Sequence, residues 1–89
     1  MAEYRKSRTP SGHECEIREV AAGDGRRWHV KVEGRSFYLW AARHLSAHAD
    51  EERISRGVLR GIDNELSRDR SMMAPDYEAP LLPQDFEDD

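Results

Sequence analysis

Apolar positions recur with two different periods along the chain, and the change of period marks its architecture. In "HECEIREV" (13–20) side chains alternate, placing His13, Cys15 and Ile17 on one face of a first strand. Arg27 to Glu33 puts Trp28, Val30 and Val32 on one face of a second. Arg35 to about Ala41 reads as a third, with Phe37 and Leu39 on one parity and Tyr38 and Trp40 on the other. "AAGDG" supplies the first turn. Glu33-Gly34 supplies the second, Gly34 serving as the left-handed residue of a type II turn or of a type I turn with a bulge.

Agreement between the faces sets an expected register. Val32 opposite Arg35 brings Val30 against Phe37 and Trp28 against Leu39, and Ile17 opposite Trp28 brings Cys15 against Val30. Both hairpins then share one apolar face, which a slip of a single residue would destroy. The opposite face carries Glu16, Arg18, Arg27, His29, Lys31, Ser36, Tyr38 and Trp40. A half-buried sheet is normally polar on that side. Tyr38 and Trp40 therefore need an explanation.

From Asp50 to about Arg70 the period lengthens: Ile54, Val58, Ile62 and Leu66 recur every four residues with Leu59 beside them. They span a sector of about 140°, a core-facing helical stripe. Ser46 or Asp50 can cap its start. Glu51 and Glu52 suit the first turn, and Arg68 and Arg70 the last. "AARHLSAH" before it reads as either a helical turn or a loop. Gly57 and Gly61 lie on the flank of the stripe, where small residues permit close approach to the sheet or, alternatively, to a second helix.

These elements predict an α+β fold, a three-stranded antiparallel sheet packed on one C-terminal helix (β-β-β-α), occupying residues 12–70. Residues 1–11 read as a flexible basic arm bounded by Pro10-Ser11-Gly12. Residues 71–89 read as a disordered or extended acidic tail with three prolines, with Leu81, Leu82 or Phe86 as candidates for docking. Neither half buries enough to stand alone, so a dimer or a docked tail is expected to add what is missing.

Charge sharpens this picture. The net charge of −4 divides unevenly: Asp76, Glu78, Asp85, Glu87, Asp88 and Asp89 follow residue 71 with no Lys or Arg, leaving 14 basic against 12 acidic groups in the rest. One cysteine excludes an internal disulfide framework and suits a reducing cytoplasm. No apolar run reaches the roughly 18 to 20 residues of a membrane span, and no secretory signal is expected.

Candidate chemistry lies in three places. The first is the outer sheet face, where Arg18, Arg27, His29 and Lys31 interleave with Tyr38 and Trp40; cations neutralise phosphates and rings stack on bases. Alternatively the tail, the arm or a second subunit covers those rings. In element order alone, over about fifty residues, this arrangement resembles the DNA-binding domains of plant ethylene-response factors and integrase arm-binding domains, which implies a β-surface in a major groove. The second is the helix strip Arg53, Arg56 and Arg60, opposite the apolar stripe, readable as a solvated face with Glu52 and Asp63 or as an acid-binding strip. The third is the tail, with Asp76, Tyr77, Glu78, Asp85, Phe86 and Glu87.

His44 and His48 have helical ligand spacing, and His13 shares a face with Cys15, but no four-ligand motif accompanies them. Neither a metal nor a cofactor is expected. No nucleophile elbow or phosphate loop is present, so no enzyme is expected. The leading expectation is a small non-enzymatic module that binds a protein partner, as an anti-CRISPR or anti-restriction type of inhibitor from a phage or mobile element would, with the acidic tail in the place of DNA phosphates. The alternative is an accessory module that binds nucleic acid through the basic-aromatic sheet face.

Overall fold

A computed structural model describes residues 3–47, 49–68 and 77–86. The chain is α+β, but its sheet has five strands in the order β1-β2-β3-β4-β5 and is mixed, and its main helix lies mid-chain. The strands are β1 (Arg5–Arg8), β2 (Glu14–Val20), β3 (Arg26–Val32), β4 (Arg35–Ala41) and β5 (Glu78–Pro80). A short helix α1 (Arg43–Ser46) and the long helix α2 (Glu51–Leu66) join β4 to β5, and a 3-10 turn (Pro83–Phe86) follows.

The central hairpin has the expected register, with Val30 opposite Phe37 and Trp28 opposite Leu39. Its turn differs. Both Glu33 and Gly34 have positive φ, 52° and 74°, as a two-residue type I′ turn requires. The β2–β3 hairpin is displaced by two residues from expectation: Ile17 faces Val30 and Cys15 faces Val32. An even displacement leaves every side chain on its own face, so alternation cannot detect it. The turn between β2 and β3 passes close to β4 at Gly25, where a Cβ would lie 2.2 Å from the Ala41 carbonyl oxygen.

Both ends of the chain depart from expectation. The supposed flexible arm is strand β1, paired antiparallel with β2 from Arg5 opposite Ile17 to Arg8 opposite Glu14. Pro10-Ser11-Gly12 is thus a hairpin turn, not a domain boundary. Thr9 closes it by accepting from Gly12 N–H (2.8 Å) and His13 N–H (3.1 Å). The Ser11 N–H then donates to Asp63 on α2 at 2.9 Å.

The expected free tail supplies β5, parallel to β4, and the 3-10 turn. Tyr38 N–H donates to the Tyr77 carbonyl at 2.8 Å, and Leu81 N–H to the Trp40 carbonyl at 2.7 Å. Parallel neighbours need a long crossover, and α2 provides it. The two helix glycines make the space for this return. A Cβ on Gly61 would lie 2.4 Å from Leu81 and 3.4 Å from Leu39, and one on Gly57 would lie 2.9 Å from the Phe86 ring. Close approach was the correct reading of the pair, but its main beneficiary is the chain after the helix.

The core joins Ile17, Trp28, Val30, Phe37 and Leu39 of the sheet to Ile54, Val58 and Ile62 of α2 and to Ala79, Leu81 and Phe86 beyond it. Asp50 caps α2 by accepting from Arg53 N–H at 2.8 Å, and Glu51 and Glu52 follow in the first turn. The helix stops at Leu66, so Arg68 lies past its last turn, while Arg70 falls outside the described residues. Arg26 fastens the sheet to the helix start, donating to both oxygens of Glu19 (2.6 and 2.9 Å) and of Glu51 (2.7 and 3.1 Å). Hydrogen bonds from this guanidinium, then its charge, hold the Glu51 carboxyl below its ordinary range.

If the segment after α2 belongs to the core, Leu81→Ala costs about 2–4 kcal/mol, the range for emptying a buried leucine site. Chemical denaturation of the full-length protein checks this. A cost below about 0.5 kcal/mol, the range of ordinary surface substitutions, would show that the segment is dispensable.

Candidate functional site

Helix α2 and the returning chain occupy one sheet face, and among the described residues no helix covers the other. Strand alternation brings five rows together there: Tyr4 and Lys6 beside β1, Glu16 and Arg18 on β2, Arg27, His29 and Lys31 on β3, Ser36, Tyr38 and Trp40 on β4, and Glu78 on β5. All six sheet-face candidates from the sequence converge on this surface. Arg27 is directly opposite Trp40, and His29 directly opposite Tyr38.

The rings and cations interlock. The Arg27 guanidinium lies 4.2 Å over the Tyr38 ring, and Glu78 holds it there at 3.2 Å. The His29 ring is 4.7 Å from Tyr38. Tyr4 packs edge-on against His29, its hydroxyl hydrogen-bonded to Nδ1, while Arg18 and Lys31 lie 4.7 and 4.2 Å from the Tyr4 ring centroid. Trp40 is 38% exposed, the one exposed large apolar side chain among the described residues, whereas Trp28 on the core face is 5% exposed.

Tyr38 is therefore half-covered by the face's own arginine and histidine, and Trp40 is left open. Tyr4 escaped the sequence analysis because it sits in the supposed arm. The alternation of Tyr4, Lys6 and Arg8 against Arg5 and Ser7 was the available signal.

Electrostatics on this face are positive around His29. Partial burial, then the charges of Lys31, Arg18 and Arg27, push its pKa below the ordinary histidine value. Arg8 pairs with Glu14 (3.4 Å) and Arg27 with Glu78, but no carboxylate among the described residues lies within ion-pair distance of Lys6, Arg18 or Lys31. A groove of about 650 Å³ continues from the face past Lys6, Lys31 and Ser36 to Arg35, with Glu14 and Glu16 on its wall.

The other candidates serve the fold. Arg60 donates to the Asp85 carbonyl at 3.3 Å, Arg56 lies 3.4 Å from Glu52, and Arg53 is half-buried, so the helix strip is not one open cationic surface. Asp63, expected beside the strip, accepts from Ser11 instead. In the tail, Asp85 is buried, its carboxylate accepting from Asn64 and Leu82 N–H at 2.8 Å each. Tyr77 donates to the buried Glu65 at 2.9 Å, and Phe86 fills the space over Gly57. Asp76 and Glu87 lie outside the described residues.

His13 pairs with Glu33 rather than with Cys15, whose buried thiol is 3.6 Å from the Ser7 carbonyl. Burial, then Asp63, pushes that thiol up. His44 is exposed on α1, and His48 lies outside the described residues. Among the described residues no three His, Cys, Asp or Glu side chains converge, and no helix is long and apolar enough to cross a membrane.

Comparison with protein-family models, with curated proteins and with solved structures found no match to this chain. The geometry of the face is thus the ground for a functional reading.

The sign of the His29 shift makes a stability prediction. Below about pH 6.5 the unfolded chain takes up a proton on this ring while the folded protein resists, so stability falls as pH drops. His29→Gln removes that contribution. The melting temperature of the variant should decline less between pH 7.5 and 5.5 than that of the wild type, and an equal decline would count against the charged surroundings as its cause.

Proposed function

We propose that the protein is a non-enzymatic binding module whose outer sheet face engages nucleic acid. The observation that carries this reading is the juxtaposition of open Trp40 and the Arg27–Tyr38 stack with Arg18 and Lys31, which lack carboxylate partners among the described residues. Rings supply a sequence-tolerant surface for bases, and cations supply the phosphate term. Sheet edges are less suited to partnership. Strand β1 reads Arg-Lys-Ser-Arg and β5 is three residues ending in Pro80, both features that discourage strand addition.

A protein partner is the second reading, favoured by Glu14 and Glu16 beside the cations, a mixed-sign surface that complements another protein as well as a polyanion. An inhibitor of the anti-CRISPR or anti-restriction type belongs to this reading. Its mechanism through a free acidic tail is weakened, because Asp85 and Phe86 are interior and Glu78 is tied to Arg27. For the same reason, deleting residues 72–89 would disturb the core and report on folding rather than on recognition.

The test uses the full chain and labelled oligonucleotides, single-stranded and duplex, in anisotropy titrations from about 50 mM salt upward. Joint Arg18→Thr and Lys31→Thr should weaken binding and lower the slope of log affinity against log salt by roughly 1.4, about 0.7 for each lost phosphate contact on a single strand. Arg56→Ala, on the helix, should leave both unchanged. Failure of the wild type to bind either form, or wild-type binding by the double variant, overturns the reading.

A further inference from the structure

Resting on that reading, we infer that the face accepts a single strand rather than a duplex, with one base on Trp40 and its neighbour on the Arg27–Tyr38 stack while Arg18 and Lys31 meet phosphates.

The width of the sheet is the first reason. Five strands at about 4.8 Å spacing present a face roughly 19 Å across before side chains are added. A major groove of about 12 Å admits a helix or a two-stranded ribbon. The three-stranded groove reader suggested by element order is therefore not the geometry present, because β1 and β5 widen the sheet on both sides.

Ring spacing is the second reason. Tyr38 and Trp40 are two residues apart on β4, on one face, which separates them by about 7 Å. Bases stacked in a duplex repeat every 3.4 Å or so, with their faces hidden. Platforms at twice that distance suit bases already parted from one another. The Arg27 guanidinium lies over Tyr38, paired to Glu78, and its side chain stays 32% exposed, so a base can meet the cation from the solvent side.

The third reason is the placement of charge. Lys31 lies on the same strand and face as Arg27, two positions beyond His29, and Arg18 lies opposite His29 on β2. Cations thus flank the ring row on the β2 side, where a backbone running alongside stacked bases would pass. The groove beyond Lys31 is of mixed sign, Glu14, Glu16 and Glu33 sharing its wall with Lys6 and Arg35, so the phosphate contacts are assigned to Arg18 and Lys31 alone.

The test compares a mixed-sequence single-stranded oligonucleotide, as DNA and as RNA, with its own duplex, using the full-length protein. The single strand should bind at least about tenfold more tightly, with quenching of tryptophan emission. Trp40→Ala should cost roughly 5- to 100-fold in affinity with an unchanged salt slope, the mark of lost stacking rather than lost charge. Trp40→Phe should keep most of the affinity and lose the quenching, which assigns the signal to Trp40 and not to buried Trp28. A cooperative melting transition, together with affinity measured well below it, confirms that both variants are folded. Duplex binding as tight as single-strand binding, still dependent on Arg18 and Lys31, overturns this inference and leaves the broader reading standing. Binding by Trp40→Ala at wild-type strength also overturns it. Absence of binding to either form defeats the broader reading itself.

Discussion

The structure depends on the seating of the chain after α2 against the glycine side of that helix. Leu81 occupies the space a Cβ on Gly61 would need, and Phe86 the space over Gly57. Two interior glycines weaken a helix by about 1 kcal/mol each relative to alanine, and that loss is offset here by apolar burial. Once Leu81 is seated, β5 lies along β4, so helix, sheet and returning chain form a single core. The buried carboxylates of Asp85 and Glu65 are tolerable because each accepts hydrogen bonds from neighbouring donors.

This one-sided closure divides the sheet into a packed face and one that keeps its polar and aromatic side chains. Among the described residues the apolar side chains of α2, with Leu81 and Phe86, pack on the face of Ile17, Val30, Phe37 and Leu39. The outer face carries the side chains of its own strands and Tyr4. Its rings are partly covered by cations, an arrangement in which a desolvated aromatic surface and a charged one occupy the same place. Charged and proline-bearing edges on either side limit strand pairing and leave the face as the approachable surface.

Acidic residues play a different part from the one their crowding suggests. Asp85 is interior, Glu78 orders Arg27, and Glu51 is fastened to Arg26 together with Glu19. Of the six acids after residue 71, the two that are described, Glu78 and Asp85, are thus both engaged within the fold. Ion pairs and caps draw many of these charges into the architecture.

Alternation alone determined the two face memberships of β2, β3 and β4, the period of α2 and the surface shared by Arg18, Arg27, His29, Lys31, Tyr38 and Trp40. Those are local properties, carried by a period of two or of 3.6 residues. The register of β2 on β3 was not among them, since a shift of two preserves every face. Strand β1 was hidden because Arg-Lys-Ser-Arg is too charged to resemble a strand until β2 offers its hydrogen bonds. Leu81 and Phe86 were legible as docking candidates, but their seat was not, because the spaces over Gly61 and Gly57 exist only once helix and sheet are packed. The sequence by itself thus determined which residues face together. Which segments complete the sheet, and hence which face stays open, was decided in three dimensions by contacts between residues far apart in the chain.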